Sequence, residues 1–147
     1  MTKALREPGA PSAALKSAQG SLLLADQVMV RNLTRNTQIA DRAEVAGSAK
    51  KRSQGLLGRK GLRRGEGMWI VPCEAVHTFF MQFALDLIYL DRKHRIKKVR
   101  ENVAPWRISA CLSAHSILEL PSGTIGESRS QAGDFVEILP SPSTDQV

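Results

Sequence analysis

Aromatic side chains are scarce: four Phe, two Trp and one Tyr make up 5% of the 147 residues. A core must therefore come mainly from Leu, Ile, Val and Ala. Cysteine is nearly absent. Cys73 and Cys111 stand far apart and form no CxxC or Cys/His cluster, which argues against a structural zinc site or a disulfide framework. In a reducing compartment they read as two buried free thiols, and sequence leaves their pairing open. Long apolar runs are also missing. None nears the roughly 20 residues that cross a bilayer. Leu22-Leu23-Leu24-Ala25, interrupted by Asp26, is shorter than the apolar stretch of a secretion signal. The expectation is a cytoplasmic chain with no membrane partner.

The catalytic and cofactor signatures are equally sparse. His77, His94 and His115 are dispersed, and no HExxH, EF-hand or paired CxxC pattern occurs. Gly55-Leu56-Leu57-Gly58-Arg59-Lys60-Gly61 has glycines and cations but not the phosphate-loop spacing, and no G-x-S-x-G elbow is found. We expect no metal, no cofactor and no catalytic residue of an established type.

What is present is an ordinary folding composition, 42% hydrophobic and 24% charged, in a length that suits one domain. The net charge is +7, unevenly spread: residues 28–60 and 61–107 are basic by +6 and +4, and residues 108–147 are acidic by −4. Such polarity fits an anionic partner and equally a protein with two unlike poles. Residues 1–20 and 141–147, rich in Ala, Ser, Pro and Gly or Thr, read as flexible tails around a single domain over 21–140.

Within that span the alternation predicts a hairpin, Val28 to Leu33 against Thr37 to Val45, with Asn36 near its turn. Ser48 can cap the main helix, whose apolar side holds Ala49, Ser53, Leu56 and Leu57. Lys50, Lys51 and Arg52 in its first turn oppose the helix dipole, so packing must hold it. Further strands are expected at Met68–Val71, Leu85–Leu90, Arg95–Val103 and Phe135–Leu139, with Ile108–Leu112 and Ala114–Leu120 as two strands or one strand with a bulge, and a short helix after Pro121-Ser122-Gly123. The fold class is α+β and β-rich: a small, partly closed antiparallel sheet or barrel of about seven short strands, with one main and one short helix.

Five segments then fall into a familiar order: Arg52-Ser53-Gln54-Gly55-Leu56-Leu57-Gly58-Arg59, Gly67-Met68-Trp69-Ile70, His77-Thr78-Phe79-Phe80-Met81, Leu85-Asp86-Leu87-Ile88-Tyr89-Leu90-Asp91 and Leu118-Glu119-Leu120-Pro121-Ser122-Gly123-Thr124, closed by Gly133-Asp134. The set, over about residues 28–138, resembles the bacterial family called domain of unknown function 192. The resemblance implies a compact β-rich domain and no established activity. This chain departs from the family's usual pattern at Gln82 (Lys or Arg), Ala84 (Pro) and His94 (Gly).

Three function classes remain. The favoured one is a non-catalytic accessory domain binding a small ligand or partner near His77, Phe80, Asp86 and Trp106, where aromatic and polar residues interleave. The bland counterpart is that Phe79, Phe80 and Phe83 build core and Trp106 plugs a barrel end. The second is polyanion or nucleic-acid binding through Arg42, Lys50, Lys51, Arg52, Arg59, Lys60, Arg63 and Arg64, or through the Arg92–Arg100 strand. The third is a small enzyme using His77 with Asp86 or Glu119, a carboxylate pair being raw material for acid–base chemistry. More commonly such carboxylates anchor loops or pair with an Arg.

Overall fold

The computed structural model describes residues 13–142. Its elements in chain order are α1 (Ala13–Leu24), β1 (Gln27–Asn32), β2 (Thr37–Ala46), α2 (Ala49–Gln54), β3 (Glu66–Ile70), β4 (Ala75–His77), β5 (Leu85–Leu90), β6 (Ile96–Val103), β7 (Ile108–Ala110), β8 (Ser116–Pro121), α3 (Thr124–Ser128) and β9 (Val136–Pro140). The expected hairpin is β1–β2, with Asn36 at φ 55° in its turn. α1 lies partly within the stretch read as a tail, and it docks through Leu22, which is buried in the core. Ser141, at the start of the other expected tail, is tied down, its N–H donating to Gln27 O and its Oγ to Asp41 O. Residues 1–12 and 143–147 lie outside the described residues.

Seven strands form one sheet in the order β6-β5-β8-β3-β2-β1-β9, and β4 pairs with β7 as a separate two-stranded arm. The sheet is mixed, not purely antiparallel, because β2 and β3 run parallel, from Arg42 opposite Glu66 to Ala46 opposite Ile70. A parallel pair needs a crossover, and residues 47–65, which contain α2, supply it. The outermost strands approach each other: Arg95 and Phe135 form an antiparallel bridge, Ile96 N–H donates to Asp134 O at 2.8 Å, and Val136 N–H to His94 O at 2.9 Å. The sheet is thus a curled half-barrel.

Both faces are covered, where one interior was expected. On one face, Val28, Val30, Trp69, Ile88, Ile96, Leu118 and Ile138 belong to a cluster fed by all seven strands. On the other, Met68, Ile70, Leu85, Leu87, Tyr89 and Ile117 pack under Leu56, Met81 and the β4–β7 arm. This is why every residue of β5 is buried. α2 is shorter than its apolar pattern suggested. Ser48 caps it, accepting from Lys51 N–H, and Gly55 (φ 47°) ends it, so Leu56 and Leu57 lie in the following turn.

Gly67 explains its place in the Gly67-Met68-Trp69-Ile70 segment. A Cβ there would stand 2.8 Å from the Glu119 carbonyl oxygen and 3.0 Å from Leu120 Cδ2, between paired strands β3 and β8. Gly67→Ala should therefore cost about 1–3 kcal/mol by overpacking, read as a lower urea midpoint by circular dichroism. An unchanged midpoint would show that the strands can separate freely there.

A buried carboxyl under the helix turn

The crossover from β2 to β3 lays the α2 turn over the second face of the sheet. Arg52 Nη1 donates to Gly47 O at 2.7 Å, and Arg59 makes a two-pronged contact with Glu44, at 2.9 Å from Nη1 and 2.6 Å from Nη2. The two arginines of the Arg52–Arg59 segment thus pin both ends of the turn. Leu56, between them, is driven into the core. Beneath the turn lies a cavity of about 140 Å³ lined by Leu56, Leu57, Ile70, Val76, Met81 and Glu119, with Arg52, Gly55, Cys73 and His77 also on its walls.

Glu119 gives this cavity its chemistry. Alternation along β8 sends Leu118 and Leu120 to the first cluster and Ile117 to the second, so Glu119 joins Ile117 on the cavity side. Its Oε2 is buried and has no hydrogen-bond partner. Burial pushes the carboxyl up to about 7, and the charge of Arg59 only partly opposes that shift. The Cys73 thiol is also raised by burial, which outweighs a backbone hydrogen bond with Ala75 that lowers it.

His77 belongs to the cavity wall and opens a row of rings. It stacks on Phe79 at 4.9 Å between centroids, Phe79 stacks on Trp106 at 5.7 Å, and Phe80 meets Trp106 edge-on at 4.7 Å. Thr78 holds the row together. Its N–H donates to Arg107 O, its Oγ1 donates to Ala104 O and accepts from Arg107 N–H, and its carbonyl accepts from Trp106 N–H. Phe80 and Trp106 both sit at φ 63°, a conformation uncommon for bulky residues. They are 71% and 56% exposed, so neither is core nor a barrel plug.

Three of the four expected site residues, His77, Phe80 and Trp106, therefore come together, and Asp86 does not. Asp86 faces the opposite side of the sheet from its neighbours Leu85 and Leu87. There it accepts Asn102 N–H at 2.8 Å on Oδ1, and Gly123 and Ile125 N–H at 3.1 and 2.8 Å on Oδ2. It anchors α3 to the sheet. Nor do Asp86 and Glu119 form a carboxylate pair: Leu87, not Asp86, is opposite Glu119 across β5 and β8, so the two acids point to different faces. Glu119, not Asp86, shares the cavity wall with His77. The sequence signal for it is a lone acid at an inward position of the run Ile117-Leu118-Glu119-Leu120. Thr78 carried no such signal.

Other candidates fare differently. Of the eight cations of the proposed basic surface, Arg42, Arg59 and Arg64 pair with Glu66, Glu44 and Glu127, and Arg52 binds Gly47 O. Cys73 and Cys111 are free and half-buried. Among the described residues, no three His, Cys, Asp or Glu side chains gather as they would around a metal ion, and no helix is long and apolar enough to cross a membrane.

The domain is a curled, mixed sheet with a helix turn clamped across one face. The chain belongs to the DUF192 family, described as Uncharacterized ACR, whose model matches residues 30–138. It is similar to UPF0127 protein PH1112 of Pyrococcus horikoshii, at 30% identity over 115 residues covering 74% of this chain and 97% of that protein. Two crystal structures share the fold. One is a protein of unknown function from Novosphingobium aromaticivorans, with TM-score 0.66, 22% identity, and 76% of this chain and 83% of that one covered. The other is a candidate transcription regulator from Sinorhizobium meliloti, with TM-score 0.67, 22% identity, and coverage of 76% and 91%.

Proposed function

We propose that this is a non-catalytic binding domain that takes a small ligand into the cavity under the α2 turn. Glu119 contacts its polar end, His77 stands on the wall, and the Phe79–Trp106–Phe80 row receives whatever projects outward. One observation carries the reading: Glu119 Oε2 is buried without a partner in a space large enough for a ligand. Nearly all buried polar atoms have a hydrogen-bond partner, so an unpaired carboxyl oxygen calls for an occupant that supplies one. The single domain over residues 21–140 is the binding unit. Its two free thiols support a reducing, cytoplasmic setting.

Amide chemical shifts recorded against a library of small polar fragments test this. Perturbations should concentrate at Gly55, Val76, His77 and Met81, and Val76→Phe, which fills the cavity, should abolish them. Fragments that settle instead around Arg64 and Glu127, or that never perturb the cavity amides, would defeat it.

A further inference from the structure

The cavity's size and its lone acid together define a ligand class, an inference that rests on the binding role proposed above. We propose that the occupant is a small organic cation, a protonated amine on a compact apolar body of about six non-hydrogen atoms. The size follows from the volume: about 140 Å³ is close to the roughly 150 Å³ of an engineered apolar cavity that holds benzene. The apolar body follows from Leu56, Leu57, Ile70, Val76 and Met81 in the walls.

The positive head follows from Glu119. Its Oε2 lacks a donor, and the charged groups around it leave that need unmet. Arg52, on α2, is turned to Gly47 O, and Arg59, after the turn, is held by both oxygens of Glu44. Cys73, between β3 and β4, donates to Ala75 O. His77, on β4, stacks on Phe79. A carboxylate taken out of water is costly unless an opposite charge meets it. An ammonium group supplies both the charge and the N–H donors. A neutral alcohol would supply one hydrogen bond and no charge. An anion would meet a carboxyl whose charge Arg59 only partly offsets.

Titrations with cyclopentylamine, cyclopentanol and cyclopentanecarboxylate, followed through the Val76, His77 and Met81 amides and the Glu119 side-chain carboxyl carbon, separate these cases. The amine should bind at least about tenfold tighter than the alcohol at pH 8. Its affinity should fall by about tenfold at pH 6, where Glu119 must first give up its proton. The carboxyl carbon in the unmodified protein should report a midpoint moved below its unliganded value by the amine alone. Glu119→Gln should abolish the amine's advantage. Equal or tighter binding of the alcohol or the carboxylate at the same amides would overturn the cation and leave the binding role standing. An amine preference that survives Glu119→Gln would also overturn it. Silence of all three ligands would overturn the cation as well, and the wider fragment library then decides the fate of the binding role separately.

Discussion

Glu119→Gln is expected to leave stability unchanged near pH 4 and to make the protein more stable than the wild type at pH 8. The carboxyl titrates near 7 when folded, against an ordinary value of 4.5. Between those values the folded state holds a proton that the unfolded state has released, so the free energy of unfolding falls as pH rises. The contribution is complete below about pH 4.5, declines through the folded value and is gone by about pH 8. The separation corresponds to about 3 kcal/mol at most. Glutamine fills the same space and never ionises, so the variant lacks this slope. Glu44 acts in the opposite sense, since its hydrogen bonds to Arg59 hold it low and its contribution fades toward acid pH. Taking the difference between variant and wild type removes that background. Urea unfolding at pH 4, 5, 6, 7 and 8 measures it. Parallel pH profiles for the two proteins would mean that Glu119 is solvated when folded.

Asp86→Ala should be among the most damaging single changes in the domain, at about 3–5 kcal/mol. One carboxylate accepts three backbone N–H groups, from Asn102 in β6, Gly123 before α3 and Ile125 within it. Each loses its partner when the carboxylate is removed, and Ile125 belongs to the cluster fed by all seven strands. Asp86→Asn keeps one oxygen acceptor and should cost about half as much. Urea unfolding gives the magnitude, and hydrogen exchange should rise first at Gly123 and Ile125. A cost below about 1 kcal/mol would show that α3 is held by its apolar contacts alone.

Local patterns in the chain carried much of this architecture. Alternation in Val28–Leu33 and Thr37–Val45, with Asn36 between them, described the β1–β2 hairpin, and Ser48 marked the start of α2. The parallel β2–β3 pair was not legible, because Thr37–Val45 and Met68–Val71 alternate the same way whichever direction they run. The anchoring role of Asp86 was the commoner reading of such a carboxylate, but its face was hidden for a related reason. Its burial could be anticipated, but the face it shares depends on register, and Leu87 opposite Glu119 is a fact of pairing. Gathering His77, Phe80 and Trp106 requires the β4–β7 arm, whose pairing of His77 with Ile108 joins segments about thirty residues apart. Thr78, between His77 and Phe79, is the clasp of that arm, a role that depends on the backbone of residues 104–107.

The strand order has a bearing on how the protein is made. β1 is hydrogen-bonded to β2 on one side and to β9, from the far end of the chain, on the other. On a translating ribosome it waits, with one edge bare, until β9 emerges. Chaperones that shield unpaired edges would find their opening in that interval, and it closes only when β9 slides into place beside β1.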